Sequence, residues 1–147
     1  MPSDELKNGL PAEIKMETSY VQNGETHQHS FEENGRVVYM NNSYYIRFEE
    51  AHELETIPVT IKLNPDGIVQ LIRRGVEQTT RLVFNSDLDT ESNYRTPAGI
   101  IPLRVTTNDL RVSYYDRPFA GRVWVDYTLS ANKQILGEYQ IRLHFTT

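Results

Sequence analysis

The chain has 147 residues, a length that fits one domain, and its 38% hydrophobic and 24% charged content is that of an ordinary soluble fold. It contains no cysteine, which excludes disulfides, thiol-ligated metals and a cysteine nucleophile. Its net charge of −5, without a lysine-rich run, argues against a nucleic-acid partner, and no apolar run is long enough to span a membrane as a helix.

Residues 1–11 read as a polar extension of mixed charge with no apolar secretory core, so a cytoplasmic location is expected. Residues 12–147 read as a single domain. Turn signals such as Asn23-Gly24, Asn41-Asn42, Asp66-Gly67 and Asn108-Asp109 recur among strand-like runs at intervals of about 8 to 12 residues, the mark of an all-β barrel or sandwich. A short helical turn fits only within 3–10 or 49–54. Residues 1–56 carry eleven acidic and four basic side chains, against nine and eleven in 57–147. The simpler reading is a solvated surface with both signs mixed; antiparallel self-association is the alternative that the asymmetry leaves open.

The run 26–30 places His27 and His29 on one strand face. With Glu25 or His52 they offer donor types suited to zinc or nickel, but no third ligand falls at a ligand-like spacing. An exposed polar strand is the simpler reading, and no metal or other cofactor is expected. Residues 36–40 and 44–50 form a hairpin over Asn41-Asn42. One face carries Tyr44, Ile46 and Phe48; the other carries Tyr45, Arg47 and Glu49. The second face is either a solvated surface or, if the barrel wraps it inward, a lining of polar groups that need partners.

Val59, Ile61 and Leu63 join a stripe with Val69, Leu71 and Arg73, which pair with Phe84, Leu82 and Thr80 across a turn at 75–78. Arg73 thus ends an apolar stripe. It is either a rim arginine whose stem covers the core, an anchor for an anionic group, or a structural plug paired with a carboxylate such as Glu49. Ile101, Leu103 and Val105 are expected opposite Tyr114, Val112 and Leu110 across a turn at 106–109. Val123, Val125, Tyr127 and Leu129 are expected opposite Ile141, Tyr139, Gly137 and Ile135 across a loop at 130–134. Trp124 falls on the outer face of that hairpin with Asp126 and Thr128. It reads either as a contact for a partner or as a residue packed under a loop or the N-terminal tail.

The run Tyr39-Met40-Asn41-Asn42-Ser43-Tyr44-Tyr45-Ile46-Arg47-Phe48-Glu49-Glu50 resembles an early hairpin of the YwiB-like family. The segments 59–62, Asp66-Gly67, 71–75, 82–84, 94–99, 125–129 and 136–139 follow in the order that family shows, so the resemblance covers about residues 12–145. The extension 1–11 and the run 26–30 depart from it. These are small uncharacterised bacterial proteins, mostly from Firmicutes. The resemblance implies an antiparallel calycin-like, or lipocalin-like, β-barrel of about eight to ten strands with little helix. It brings no activity, ligand or catalytic residue with it.

An enzyme is the less favoured reading. Ser30 alone lies close to a histidine in sequence, with no nucleophile-elbow pattern, and Glu32-Glu33 and Glu49-Glu50 point to opposite strand faces. A barrel of this size is either filled by side chains, as Tyr114, Tyr127, Tyr139, Phe84 and Phe145 on the inward face argue in large part, or holds one small ligand. The expected function is therefore a non-enzymatic binding protein holding a small polar or anionic molecule in its mouth, lined by Tyr45, Arg47, Arg73, Tyr94, Thr96 and Tyr127. The alternative is an interaction module, a homodimer or a protein partner's platform, using an outer sheet face around Trp124 or an edge strand.

Overall fold

Inward apolar side chains alternate with outward polar ones along nearly every segment, and the computed structural model, which describes residues 4–76, 79–116 and 118–147, is built almost wholly of strands. A five-residue helix, α1 (Asp4–Asn8), precedes β1 (Leu10–Gln22), β2 (Glu25–Met40), β3 (Ser43–Ala51), β4 (Thr56–Leu63) and β5 (Val69–Arg74). Then follow β6 (Thr79–Phe84), β7 (Thr90–Thr96), β8 (Gly99–Tyr115), β9 (Ala120–Ala131) and β10 (Gln134–Thr146). They form one antiparallel sheet in the order β6-β5-β4-β3-β2-β1-β10-β9-β8-β7.

The sheet curls until its two edges meet. No backbone ladder joins β6 to β7 among the described residues; instead the Thr90 hydroxyl donates to the Val83 carbonyl at 2.6 Å and the Ser92 hydroxyl donates to the Arg81 carbonyl. The result is a nearly closed, ten-stranded antiparallel barrel, consistent with the calycin-like architecture expected. Its seam is held by side chains.

Two-residue turns set much of the register. Asn41 and Asn42 (φ 52° and 64°), like Asn132 and Lys133 (52° and 64°), are left-handed, the conformation that matches the twist of flanking strands. The hairpin over Asn41-Asn42 and the β4-β5-β6 register are as expected: Val69 faces Phe84, Leu71 faces Leu82 and Arg73 faces Thr80. Of the turn expected at 75–78, Glu77 and Gln78 lie outside the described residues.

Two expected pairings are corrected. Residues 101–114 are not a hairpin: β8 runs unbroken from Gly99 to Tyr115, pairing first with β7 and then with β9, and Asn108 is a bulge where the register shifts between Thr107 and Asp109. The Asn108 side-chain amide donates to the Thr128 hydroxyl at 2.9 Å, so the polar residues that mimic a turn are held within a ladder. In the last hairpin the turn is only Asn132-Lys133 and a bulge falls between Ile135 and Gly137. Tyr127 therefore faces Tyr139 rather than Gly137, and Val125 faces Ile141.

The core contains Ile14, Val37, Ile46, Val59, Val69, Phe84, Val105, Val125 and Phe145, all essentially without exposure. One end of the barrel is filled: Leu6 of α1 is buried in the core, the Tyr44, Tyr114 and Phe119 rings pack on one another, and Phe119 packs on Phe145. Gly35 marks a tight approach of β3 to β1 and β2, since a Cβ there would meet the Arg47 carbonyl, Ile14 Cδ1 at 2.5 Å and Phe48 Cβ at 3.0 Å.

Candidate functional site

Towards the other end, the inward stripes change chemistry together. Along β1, Ile14 and Met16 give way to Thr18 and Tyr20; along β3, Ile46 and Phe48 give way to Glu50; along β5, Val69 and Leu71 give way to Arg73. Phe84 and Leu82 lead to Thr80, Val125 leads to Tyr127, and Ile141 is followed inward by Tyr139. The polar ends of these stripes, with Met16, Leu71, Leu82 and Ile141 beneath them, surround an open cavity of about 480 Å³, which His29, His52, Tyr94 and Leu136 also line. That is within the usual size range of small-molecule sites.

An ion pair lies on the wall of this space. Arg73 Nη2 lies 2.5 Å and Nε 3.2 Å from Glu50 Oε2, and His52 Nε2 is 3.4 Å from the same oxygen. Glu50 keeps only 11% of its side-chain exposure, whereas Arg73 keeps 36%, so the carboxylate is the deeper partner and the guanidinium the one nearer solvent. One carboxylate oxygen thus positions an arginine and a histidine at the cavity wall.

Beside Thr18 and Thr80, the lining carries a run of aromatic rings. His27 stacks on Tyr20 at 4.6 Å, Tyr20 on Tyr139 at 5.4 Å and Tyr139 on Tyr127 at 5.2 Å, and Tyr127 meets Phe84 at 4.7 Å. This file of rings runs across β2, β1, β10 and β9 into the core. Burial pushes the Tyr127 phenol well above its ordinary value; neighbouring Tyr139 adds to the rise and the Arg73 charge opposes it. Burial likewise raises Tyr139. Both phenols stay neutral and can donate or accept hydrogen bonds across the ordinary pH range.

Of the six residues expected to line a ligand site, Arg73, Tyr94 and Tyr127 come together at the cavity. Tyr45 and Arg47 do not. They lie on the outer face of β3, where Arg47 and Lys62 approach the Tyr45 ring at 5.3 and 5.5 Å. The closing barrel turns Ile46 and Phe48 inward, and alternation then sends Tyr45 and Arg47 out. Thr96 secures the β7–β8 turn, donating to the Gly99 carbonyl at 2.9 Å and accepting from the Ala98 amide at 3.2 Å. Trp124 is 40% exposed on the outer face of β9, with the Arg142 guanidinium 3.4 Å and the Arg111 guanidinium 5.5 Å from its ring.

Glu50 and His52 were not among the expected lining, although the signal for Glu50 is present. It follows Tyr44, Ile46 and Phe48 at period two, just as Arg73 follows Val69 and Leu71. The carboxylate that meets Arg73 is Glu50 rather than Glu49, because Glu49 faces outward. His27 and His29 do not share a site with a third donor: among the described residues no group of three His, Asp or Glu side chains is placed to hold a metal ion. Nor is any helix among them long and apolar enough to cross a membrane.

The fold and site together define an antiparallel barrel packed at one end and open into a polar-aromatic cavity at the other. Residues 14–143 match the model of a domain of unknown function, DUF1934, and the chain belongs to that family. Its fold is similar to the crystal structure of the ywiB protein from Bacillus subtilis, with a TM-score of 0.80 and 17% sequence identity over 97% of this chain and 95% of that one. No curated protein matches the chain.

Proposed function

We propose that this protein is a non-enzymatic binding protein that holds one small polar or anionic molecule in the barrel mouth. The observation that carries this reading is the simultaneous change of the inward stripes from aliphatic to Thr, Tyr, Arg and Glu around one cavity. A barrel that needed only a core would continue the aliphatic pattern, because every buried polar group must find a partner. In this reading Arg73 offers its guanidinium to an acceptor-rich group, Glu50 holds that guanidinium in place, and the flat body of the ligand lies along Tyr20, Tyr139 and Tyr127. The Arg73–Glu50 pair is overall neutral, which favours a ligand with one acceptor-bearing head on an apolar or aromatic body over a multiply charged one.

The test is mass spectrometry of untagged protein from its native cells, under native and then denaturing conditions. A retained small molecule in the wild type, lost in a folded Arg73→Met variant, supports the reading. No retained mass, together with no thermal shift from a panel of aromatic carboxylates and phosphates, overturns it. The second reading, a partner contact through the outer face at Trp124, is less favoured because Arg142 already stacks on that indole and is itself held by Asp126 at 2.8 Å.

A further inference from the structure

Antiparallel neighbours put five connections at the cavity end: those between β1 and β2, β3 and β4, β5 and β6, β7 and β8, and β9 and β10. All of them leave aliphatic side chains in water. Val21 stands beside the first, Leu54 lies within the second, Val76 follows β5, Ile100 follows the β7–β8 turn, and Ile135 and Leu136 follow the β9–β10 turn. Leu54 is 97% exposed, Val76 86%, Ile135 70% and Ile100 59%. A single exposed aliphatic residue needs no explanation, but a ring of them round one opening marks a contact surface.

The charges on four of these connections are sorted by side, while the fifth, between β5 and β6, carries exposed Arg74 near Val76. Round the mouth, the strand order places the β3–β4, β1–β2, β9–β10 and β7–β8 connections in succession. Glu53 and Glu55, then Glu25, give the first two an acidic arc; Lys133 and Arg95 give the next two a basic one. Glu55 also accepts from the Val76 amide at 3.3 Å, tying two of the connections together. A half-turn of one copy about an axis across the mouth lays each acidic arc on a basic arc, which is the self-complementarity a two-fold interface requires. An anionic bilayer would meet the acidic arc with repulsion.

From this sorting of charge about an aliphatic ring we infer that two copies of the chain associate mouth to mouth, each covering the other's cavity. The interface has an apolar centre and a charged rim, the usual anatomy of a protein contact. It differs from an outer-face or edge-strand contact, and it forms whether or not the cavity is filled. Where a ligand is present, its entry and exit then require the pair to separate.

The test is sedimentation of the untagged full chain across concentration and salt. A dimer is expected at concentrations up to about 100 µM, and Leu54→Ser with Val76→Ser should weaken it by about tenfold or more. Both side chains are in water in the single copy, so an unchanged circular dichroism spectrum verifies the fold of that variant. A second pair of variants reads the charge pattern: Arg95→Glu with Lys133→Glu makes the four sorted connections acidic, and Glu25→Lys with Glu53→Lys makes them basic apart from Glu55. Each should self-associate more weakly than the wild type, and the two mixed should form a heterodimer. A wild type that stays monomeric throughout overturns the inference. So does a dimer indifferent to Leu54 and Val76, a failure of the charge variants to pair, or monomer that instead floats with phosphatidylcholine vesicles through the same side chains. None of these measurements depends on a ligand, so they stand apart from the binding experiment.

Discussion

Arg73 and Glu50 sit on strands that do not touch, β5 and β3, with β4 between them, yet Nη2 of one lies 2.5 Å from Oε2 of the other. The side chains reach across the concave face of the sheet, over Val59, which pairs with Arg73 on one side and Phe48 on the other. Curvature brings them together. Removing the arginine leaves a largely buried carboxylate without its strongest donor. Arg73→Met should therefore lower stability by about 1–3 kcal/mol. Glu50→Gln should cost less, and a double-mutant cycle in urea should return a coupling of about 1 kcal/mol, tempered by the partial exposure of Arg73. Additive effects would show that the pair does not hold the cavity wall.

The file of rings makes a graded prediction. Tyr127 is buried and should cost about 3–5 kcal/mol when truncated to Ala. Tyr139, half-buried at the cavity wall, should cost less, and its outward neighbour Gln140 should shift stability by no more than about 0.5 kcal/mol on the same substitution. Chemical denaturation midpoints rank the three.

The approach of β3 over β1 and β2 depends on the missing side chain of Gly35. An alanine there would press on the Arg47 carbonyl and the Ile14 side chain, so Gly35→Ala should destabilise by about 1–3 kcal/mol or more. At Gly24 an added methyl meets open space, and the cost is only that of its positive φ, about 1 kcal/mol. Equal losses at the two positions would contradict the close approach.

At the seam, Thr90→Val and Ser92→Ala each remove the donor that reaches a β6 carbonyl, and each should cost about 1 kcal/mol. Hydrogen exchange offers an independent reading: amides along the facing edges of β6 and β7 should exchange faster than those of β4, which is paired on both sides.

One histidine bears on stability at the acid end and two tyrosines at the alkaline end. Burial is the main cause that lowers the His144 pKa, and the Arg122 and Lys15 charges beside it lower it further against an opposing Glu13. The folded state therefore binds that proton less readily than the unfolded chain, so this contribution is present above about pH 6.5 and is lost as the pH falls below it. His144→Gln should flatten stability between pH 7 and 5. At the alkaline end, burial, reinforced by Tyr44, pushes Tyr114 up to about 12, and burial also raises Tyr127. Their contribution is intact below about pH 10 and is lost as the pH climbs towards the folded values, so late tyrosine ionisation should accompany alkaline unfolding in a spectrophotometric titration.

What the sequence determined by itself was local. Alternation dictated the faces and the pairing of β4, β5 and β6, because one register keeps Val69, Leu71, Leu82 and Phe84 on the same side, and the Asn41-Asn42 turn dictated the hairpin of β2 and β3. The same periodicity placed Arg73 at the end of an apolar stripe, and Glu50 carries that signal too. The tertiary structure decided what depended on strands distant in sequence. Thr106, Thr107, Asn108 and Asp109 have the composition of a turn, but β9 pairs on both sides of them and makes Asn108 a bulge. Tyr45 and Arg47 had two faces open to them, and only the direction in which the sheet curls sent them outward. The Arg73–Glu50 pair, the file of tyrosines and the ring of aliphatic residues at the mouth exist only once the barrel closes. Closure is set by the summed twist of ten strands and by contacts between residues far apart in the chain, which no local pattern encodes.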